Sequence, residues 1–310
     1  MDKPKVSIIK GNNRYQNIIQ SLNALKDEIS QAISGKQKIL IKPNFLYANK
    51  PIASTNVQAV KATLDFLSQF SNQEIIIAEA PFSGTLEQAV KNYHYSEILK
   101  NYNIKYLDLN QEPTKQVELK INNSEKIKLN IARPVLESDF RISVCPAKTH
   151  DTVIVTLGIK NLAVGSIIAS SAKLGKNCRS EIHGDHFKTN KILFELIKII
   201  PPHLAIIDAW QGMEGDGPAN GTPVDMKLAL SSLDPVAADS VMAYLMGFNP
   251  NDIGYLYLAS QANLGTNDPN AVELIGNADL KLAKKPFKPH STYKKQLGWK
   301  LALKKLDTIL

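Results

Sequence analysis

The chain has 310 residues, enough for one large α/β domain or two lobes sharing a cleft, and its 44% hydrophobic and 21% charged content is ordinary for a globular protein. No stretch approaches about 18 uninterrupted apolar residues, so no membrane-spanning helix is expected; two cysteines, Cys145 and Cys178, are too few for a disulfide scaffold, and the absence of a CxxC pair removes the usual zinc or iron–sulfur ligands. The net charge of +8 belongs to one segment: Lys281 to Leu310 holds nine lysines against Asp307, and the remaining 28 basic and 28 acidic side chains cancel, so the pI of about 9.2 does not mark the whole protein as a nucleic-acid binder.

Met1-Asp2-Lys3-Pro4-Lys5 has no apolar run of a secretory signal, so a cytoplasmic setting is expected. Val6–Ile9 reads as a short strand. Apolar residues at helical spacing from Ile18 to Ile33, with Gly35 in the capping position, predict one helix. Ile39-Leu40-Ile41 is a continuous apolar run of the kind buried on both faces of a parallel sheet, and it ends in Lys42-Pro43-Asn44. A helix over about Asn56–Phe70, a strand over Glu74–Ala78 ending in Glu79, and a helix near Thr85–Asn92 follow. Ile104–Leu109 reads as a strand, and residues 112–130 as a β-hairpin turning at Asn122-Asn123.

The central stretch runs from Arg141 to Asn161. Its strand, Ile142–Val144, is expected to stop by Pro146, which cannot donate to a sheet ladder. Lys148, Thr149, His150 and Asp151 come next, then a β-branched and small-residue run carrying Lys160, a lysine in an apolar setting that needs a partner or a ligand. Beyond a polar segment from Ala169 to His186, Lys191–Ile200 predicts a helix stopped by Pro201-Pro202. Leu204–Ile207 predicts a strand ending in Asp208, and Gln211–Pro218 a glycine-rich loop carrying Glu214. Lys227–Ser231 predicts a strand. Asp234-Pro235 opens a helix that stops at Gly247, with Asp as N-cap and Pro at the first position. Residues from about Pro250 to Ala262 predict one more helix.

Strands alternating with helices argue an α/β fold with a mostly parallel sheet, flanking helices, a small hairpin insertion and a basic C-terminal helix. Residues 1–275 are expected to form the α/β domain, as one body or as two lobes around a cleft, and residues 276–310 a Lys-rich extension.

The out-of-place polar residues follow strands. Lys42 and Asn44, Glu79, Lys148 and His150, and Asp208 and Glu214 come after four different ones. In open α/β sheets ligands bind beyond the carboxyl ends of the strands, so these groups are candidates for one shared cleft, although strand ends meet solvent in any case. Lys42, Lys148 and Lys160 suit a small anion. His150 suits proton transfer, and a lysine of lowered pKa can act as base or nucleophile. His183 and His186 are candidates for half of a metal site, or simply part of a polar loop. Asp239, inside an apolar helix, needs either a cleft lysine as partner or a place on the solvent face. The tail from Tyr293 to Leu310 is a basic amphipathic stretch that either docks its apolar side on the domain or contacts an anionic membrane or nucleic acid.

Ile41-Lys42-Pro43-Asn44, Lys148-Thr149-His150, Gly158-Ile159-Lys160-Asn161-Leu162, Gly212–Pro218 and Leu233–Asp239 occur in that order, and together the chain resembles the family named domain of unknown function 362 over about residues 5–275. The resemblance implies an α/β fold without a settled activity. Many members carry a ferredoxin-like segment with cysteine ligands, which this chain lacks, so no iron–sulfur cluster is expected. His150 and Lys160, ten residues apart, with His183 and His186 beyond, also resemble nickel-pincer lactate racemases. That likeness implies an acid/base role for His150 and a cofactor anchor in Lys160. The expectation is an enzyme, racemase- or isomerase-like or oxidoreductase-like, acting on a small anionic ligand with Asn44, Asn161, Glu79, Asp208, Glu214 and Asp239 as further contacts and a divalent metal as the candidate cofactor. The alternative is a binding protein whose basic tail contacts nucleic acid or an anionic membrane.

Overall fold

Strand β1 (Lys5–Lys10) leads into helices α1 (Arg14–Asn23) and α2 (Lys26–Ile33). The computed structural model of the protein describes residues 3–70, 72–168, 179, 182, 183 and 185–307. Strand β2 (Ile39–Lys42) is followed by α3 (Val57–Leu67), and β3 (Ile75–Glu79) by α4 (Leu86–Asn92) and α5 (Tyr95–Ile98). Then come β4 (Ile104–Asp108), the hairpin β5 (Thr114–Lys120) and β6 (Lys126–Ala132), and the single turn α6 (Arg133–Leu136). Strand β7 (Phe140–His150) and the short β8 (Ile154–Thr156) precede α7 (Gly158–Gly165) and α8 (His186–Ile199). The long hairpin β9 (Leu204–Glu214) and β10 (Thr222–Ser232) precedes α9 (Pro235–Leu245) and α10 (Gly254–Gln261). Strand β11 (Glu273–Gly276) and helices α11 (Leu280–Ala283), α12 (Tyr293–Gln296) and α13 (Trp299–Asp307) follow.

The main sheet runs β11-β1-β10-β9-β7-β2-β3-β4, with β8 paired to β7. The β9-β7-β2-β3-β4 block is parallel throughout. Strand β10 runs antiparallel to both β1 and β9. The fold is therefore the mostly parallel α/β architecture expected, with the hairpin β5–β6 as a separate two-stranded sheet. Apolar side chains alternate across it. On β9, Leu204 and Ile206 join the core under α1–α5, whereas Ala205, Ile207 and Ala209 join the core under α7–α10.

Several boundaries differ from the sequence reading. Strand β7 does not stop at Pro146 but continues to His150. Its register against β9 shifts between Pro146 and Lys148, and an irregularity of this kind tolerates the missing N–H. The helix expected over Ile18–Ile33 is two helices, α1 ending at Ala24 and α2 starting after Leu25. The glycine-rich loop is shorter than expected, since β9 extends to Glu214 and β10 begins at Thr222. The N-cap expected at Asp234 forms, accepting from the amides of Val236 and Ala237, and Thr85 and Gln88 close a reciprocal capping box on α4 that the sequence reading did not include.

The C-terminal extension lies against the domain. Phe287 and Trp299 are buried, Trp299 Nε1 donates to the carbonyl of Asp252 at 2.7 Å, and Lys300 pairs with Asp252 at 2.5 Å. Leu282 and Leu301 stay exposed. Cys178, Gly184, most of the segment between Ala169 and Glu181, and Leu310 lie outside the described residues. Among the described residues, no helix is long and apolar enough to cross a membrane.

Candidate functional site

Because β2, β3 and β7 are parallel neighbours, their carboxyl ends open on one edge of the sheet. Lys42 ends β2 and Glu79 ends β3, and the two form an ion pair that is almost completely buried. The Lys42 ammonium also donates to the Pro43 carbonyl at 2.9 Å and to Asn161 Oδ1 at 3.3 Å. Burial pulls the Lys42 amine below its ordinary pKa, against the opposing pull of Glu79. Asn161 holds the cluster together. Its amide nitrogen donates to the Lys42 carbonyl and to Ser143 Oγ, both at 3.0 Å, while its oxygen accepts from Asn44 Nδ2 at 3.0 Å. Asn44 passes the network on, accepting from Lys148 Nζ at 3.0 Å.

Lys148 is fully buried, and its other partner is the carbonyl of Ala53 at 2.7 Å. Burial pushes its amine down to about 7, and the charge of Glu79 offsets only part of that. Lys160, on the first turn of α7, is pushed down to about 8 by the same burial. It makes no hydrogen bond or ion pair to the described residues.

Helix α7 is held from behind. Asp239 on α9 accepts from the amides of Gly158 and Ile159 at 2.8 and 3.1 Å and from Tyr255 Oη at 3.1 Å. Burial raises the Asp239 carboxyl to about 7. Gly165, at the last position of α7, packs so closely on the Lys42 ammonium that a Cβ would clash with it.

His150 ends β7 and is buried. Its Nδ1 accepts from the Thr152 amide at 3.0 Å and lies 3.0 Å from Asp151 Oδ1. The Thr152 amide can only donate and the Asp151 carboxylate can only accept, so the amide contact fits a neutral ring with its proton on Nε2, and the carboxylate contact fits the charged ring. Burial and then the charge of Lys160 push this imidazole down to about 3, so it is neutral at ordinary pH. Asp151 is held well below the usual carboxylate range by His150, Thr152 and Lys160, which together outweigh its partial burial. The ring of His183 stands 5.8 Å from that of His150. Its Nδ1 is 2.9 Å from the carbonyl of Arg179, which only accepts, so this nitrogen carries the proton and Nε2 keeps its lone pair.

Two connected hollows lie here. The outer cavity, about 470 Å³, is lined by His150, Asp151, Lys160 and His183 on one side and by Tyr47, Phe82 and Pro218 on the other. The inner one, about 50 Å³, is lined by Asn44, Glu79, Lys148, Thr156, Lys160 and Asn161. Arg179 borders both. Glu79 Oε2 and Thr156 Oγ1 are buried on the inner wall without a hydrogen-bond partner. Lys148 and Lys160 face there a carboxylate, Glu79, that already pairs with Lys42, an arrangement of the described residues that favours an anion. A shallower hollow of about 500 Å³ near Arg14, Lys61 and Trp210 holds no comparable set of buried groups.

The structure gathers Asn44, Glu79, Lys148, His150, Lys160, Asn161 and His183, and it corrects the placement of five other candidates. Lys42 lies behind Glu79, its ammonium already partnered, and is not on the wall. Asp208 faces the opposite side of the sheet, because it shares strand parity with Leu204 and Ile206; there it pairs with Arg14 at 3.1 Å. Glu214 accepts from the amide of Lys288 at 2.8 Å, away from the cavity. Asp239 has neither a cleft lysine nor solvent, since it pins α7. His186 accompanies His183 in sequence only; its Nδ1 donates to the Thr152 carbonyl at 3.0 Å. Among the described residues no group of three or more His, Cys, Asp or Glu is placed to hold a metal ion. Arg179, Thr156 and the aromatic wall of Tyr47 and Phe82 carried no signal in the sequence, since each acquires its place only through the fold.

Fold and site together define an α/β protein with a cation-lined cavity at the carboxyl edge of its sheet. Residues 39–244 match the family described as Domain of unknown function (DUF362), and the chain belongs to that family, as its ordered motifs indicated. A thylakoid-associated protein, sll1697, from Synechocystis sp. is 26% identical over 239 residues, 76% of this chain and 70% of that protein. Among solved structures, the lactate racemase apoprotein from Thermoanaerobacterium thermosaccharolyticum matches with a TM-score of 0.53 at 14% identity, over 80% of this chain and 58% of that one. A protein from Thermotoga maritima matches with a TM-score of 0.43 at 10% identity, over 82% of this chain and 60% of that one. The chain thus spans less than two thirds of the racemase, with which it shares the fold.

Proposed function

We propose that this protein is an enzyme, or a cofactor-binding relative of one, that takes a small carboxylate into the lysine-lined cavity and moves a proton on it. The observation that carries this reading is Lys160, a buried amine on the wall common to both hollows that makes no hydrogen bond or salt bridge among the described residues. A carboxylate between Lys148 and Lys160 would offset the burial of both amines and give Thr156 Oγ1 an acceptor.

The two imidazoles divide the work. His183 offers the lone pair of Nε2 as base, takes the proton from the carbon next to the carboxylate and returns it. His150, neutral, offers Nε2–H as a hydrogen bond to the oxygen on which negative charge builds and keeps its proton throughout. Proton removal and return at that carbon is racemase- or isomerase-like chemistry.

A metal held by protein ligands alone has no candidate set among the described residues. With a metal carried in by an organic cofactor, His183 Nε2 would hold the metal and Lys160 would anchor the cofactor in place of the roles given above, and the metal would supply Lewis-acid chemistry.

The racemase of the same fold is named for lactate, so lactate and other 2-hydroxy and 2-oxo acids are the first ligands to try. Thermal unfolding with each acid, with and without divalent metal, should reveal at least one stabilising ligand. At 100 times Kd the gain is about 2.7 kcal/mol. Lys160→Met should abolish it. Deuterium uptake at the α-carbon, followed by NMR, should stop in His183→Ala. If no small carboxylate stabilises the protein and none exchanges, the reading is wrong.

A further inference from the structure

His150 closes a five-residue turn whose far side is Ile154, its partner across the β7–β8 pair. Ile154 has φ of +69°. For a β-branched residue this left-handed conformation is a genuine outlier, and it persists only where surrounding structure over-determines it.

The residue that does so comes from 142 positions later. Gln296, on α12 of the C-terminal extension, is buried with 1% exposure. Its Nε2 donates to the His150 carbonyl at 2.8 Å, and its Oε1 accepts from the Ile154 amide. The side-chain amide thus sits across the neck of the turn as an inserted peptide group, satisfying one backbone acceptor and one backbone donor. A side-chain amide offers a donor and an acceptor side by side for this, whereas a Glu carboxylate only accepts and cannot satisfy the His150 carbonyl. A second tie lies beside it. Thr292 Oγ1 donates to the Asp151 carbonyl at 2.6 Å and accepts from Gln296 Nε2 at 2.8 Å. His290 borders the outer cavity from the same extension.

We infer that Gln296 is a positioning residue for His150, and that the Lys-rich extension, which lies beyond the matched segment 39–244, completes the candidate site. The imidazole is oriented by the Thr152 amide inside the turn, and the turn is held at its neck by the Gln296 amide. The inference builds on the proposed role of His150, but its test reads the ring itself and stands apart from any turnover assay.

The test is histidine NMR on the full chain labelled with ¹⁵N-histidine, in wild type, Gln296→Ala and Gln296→Glu. The wild type should show His150 as the Nε2–H tautomer throughout the neutral range. Each variant should show a mixed tautomer and a titration midpoint at least one pH unit higher, with His94 and His203 unmoved as internal controls. Gln296→Glu keeps the shape of the side chain and guards against simple loss of packing. An unmoved His150 tautomer and midpoint in a folded variant would overturn the inference. So would global unfolding of both variants, since Gln296 would then be supporting the domain and not the turn.

Discussion

Gly165→Ala should be far more damaging than a methyl group in a helix usually is. Alanine is the better helix former, by about 1 kcal/mol. The added Cβ, however, falls inside contact distance of Lys42 Cε and Nζ, with Glu79 Oε1 at 3.4 Å. Lys42 cannot swing aside, because it is fully buried and tied to Glu79, Pro43 and Asn161. Displacing the ammonium leaves Glu79 buried without its partner, and breaking such a pair costs about 3–5 kcal/mol. The net loss is about 2–4 kcal/mol, which lowers Tm by roughly 3–6 °C at the usual conversion for a chain of this length. Differential scanning calorimetry measures it directly. In a Lys42→Met background the same glycine substitution should lose less than half as much, because an uncharged, flexible side chain can bend away. A Gly165→Ala protein melting within roughly 2 °C of wild type, or an undiminished effect in Lys42→Met, would refute the reasoning.

Affinity for a small carboxylate should fall as pH rises through about 7, where Lys148 loses its proton, and again through about 8, where Lys160 does. The limiting slope is roughly tenfold per pH unit for each lysine discharged; isothermal titration at pH 6.5, 8 and 9.5 reads it, and a flat profile would remove both lysines from the site. The ligand-free protein should behave in the opposite sense. Both amines hold their protons more weakly folded than unfolded, so their contribution to stability rises with pH from about 7 up to the ordinary lysine range. Asp239→Ala leaves two buried amides and the Tyr255 hydroxyl without their acceptor, so urea denaturation should show a loss of at least about 3 kcal/mol, from about 1–3 kcal/mol for each of the three unsatisfied groups. An unchanged midpoint would show that α7 does not depend on this carboxylate.

The sheet was legible because continuous apolar runs such as Ile39–Ile41 and Leu204–Ile207 have few alternatives to buried parallel strands. Much of the site was legible for a related reason: lysine, asparagine and histidine directly after such runs conflict with the surrounding pattern. Asp208 was misplaced because the end of a strand says nothing of which face a residue takes; parity with Ile206 decides that. Asp239 was ambiguous because its partners are backbone amides 80 and 81 positions away, and backbone groups leave no mark in a sequence. The break between α1 and α2 and the passage of β7 through Pro146 depend on packing and on a register shift against β9, both properties of neighbours and not of the local chain.

The tie between the β7–β8 turn and Gln296 has a consequence for biosynthesis. Translation runs from the amino end, and domains fold in that order as they emerge. The strands bearing Lys42, Glu79 and Lys148 can pair while the polypeptide is still on the ribosome, but the turn bearing His150 stays unclamped until residue 296 has cleared the exit tunnel. A chain halted at residue 276 would therefore lack the clamp on the turn that bears His150, whatever else it had already folded.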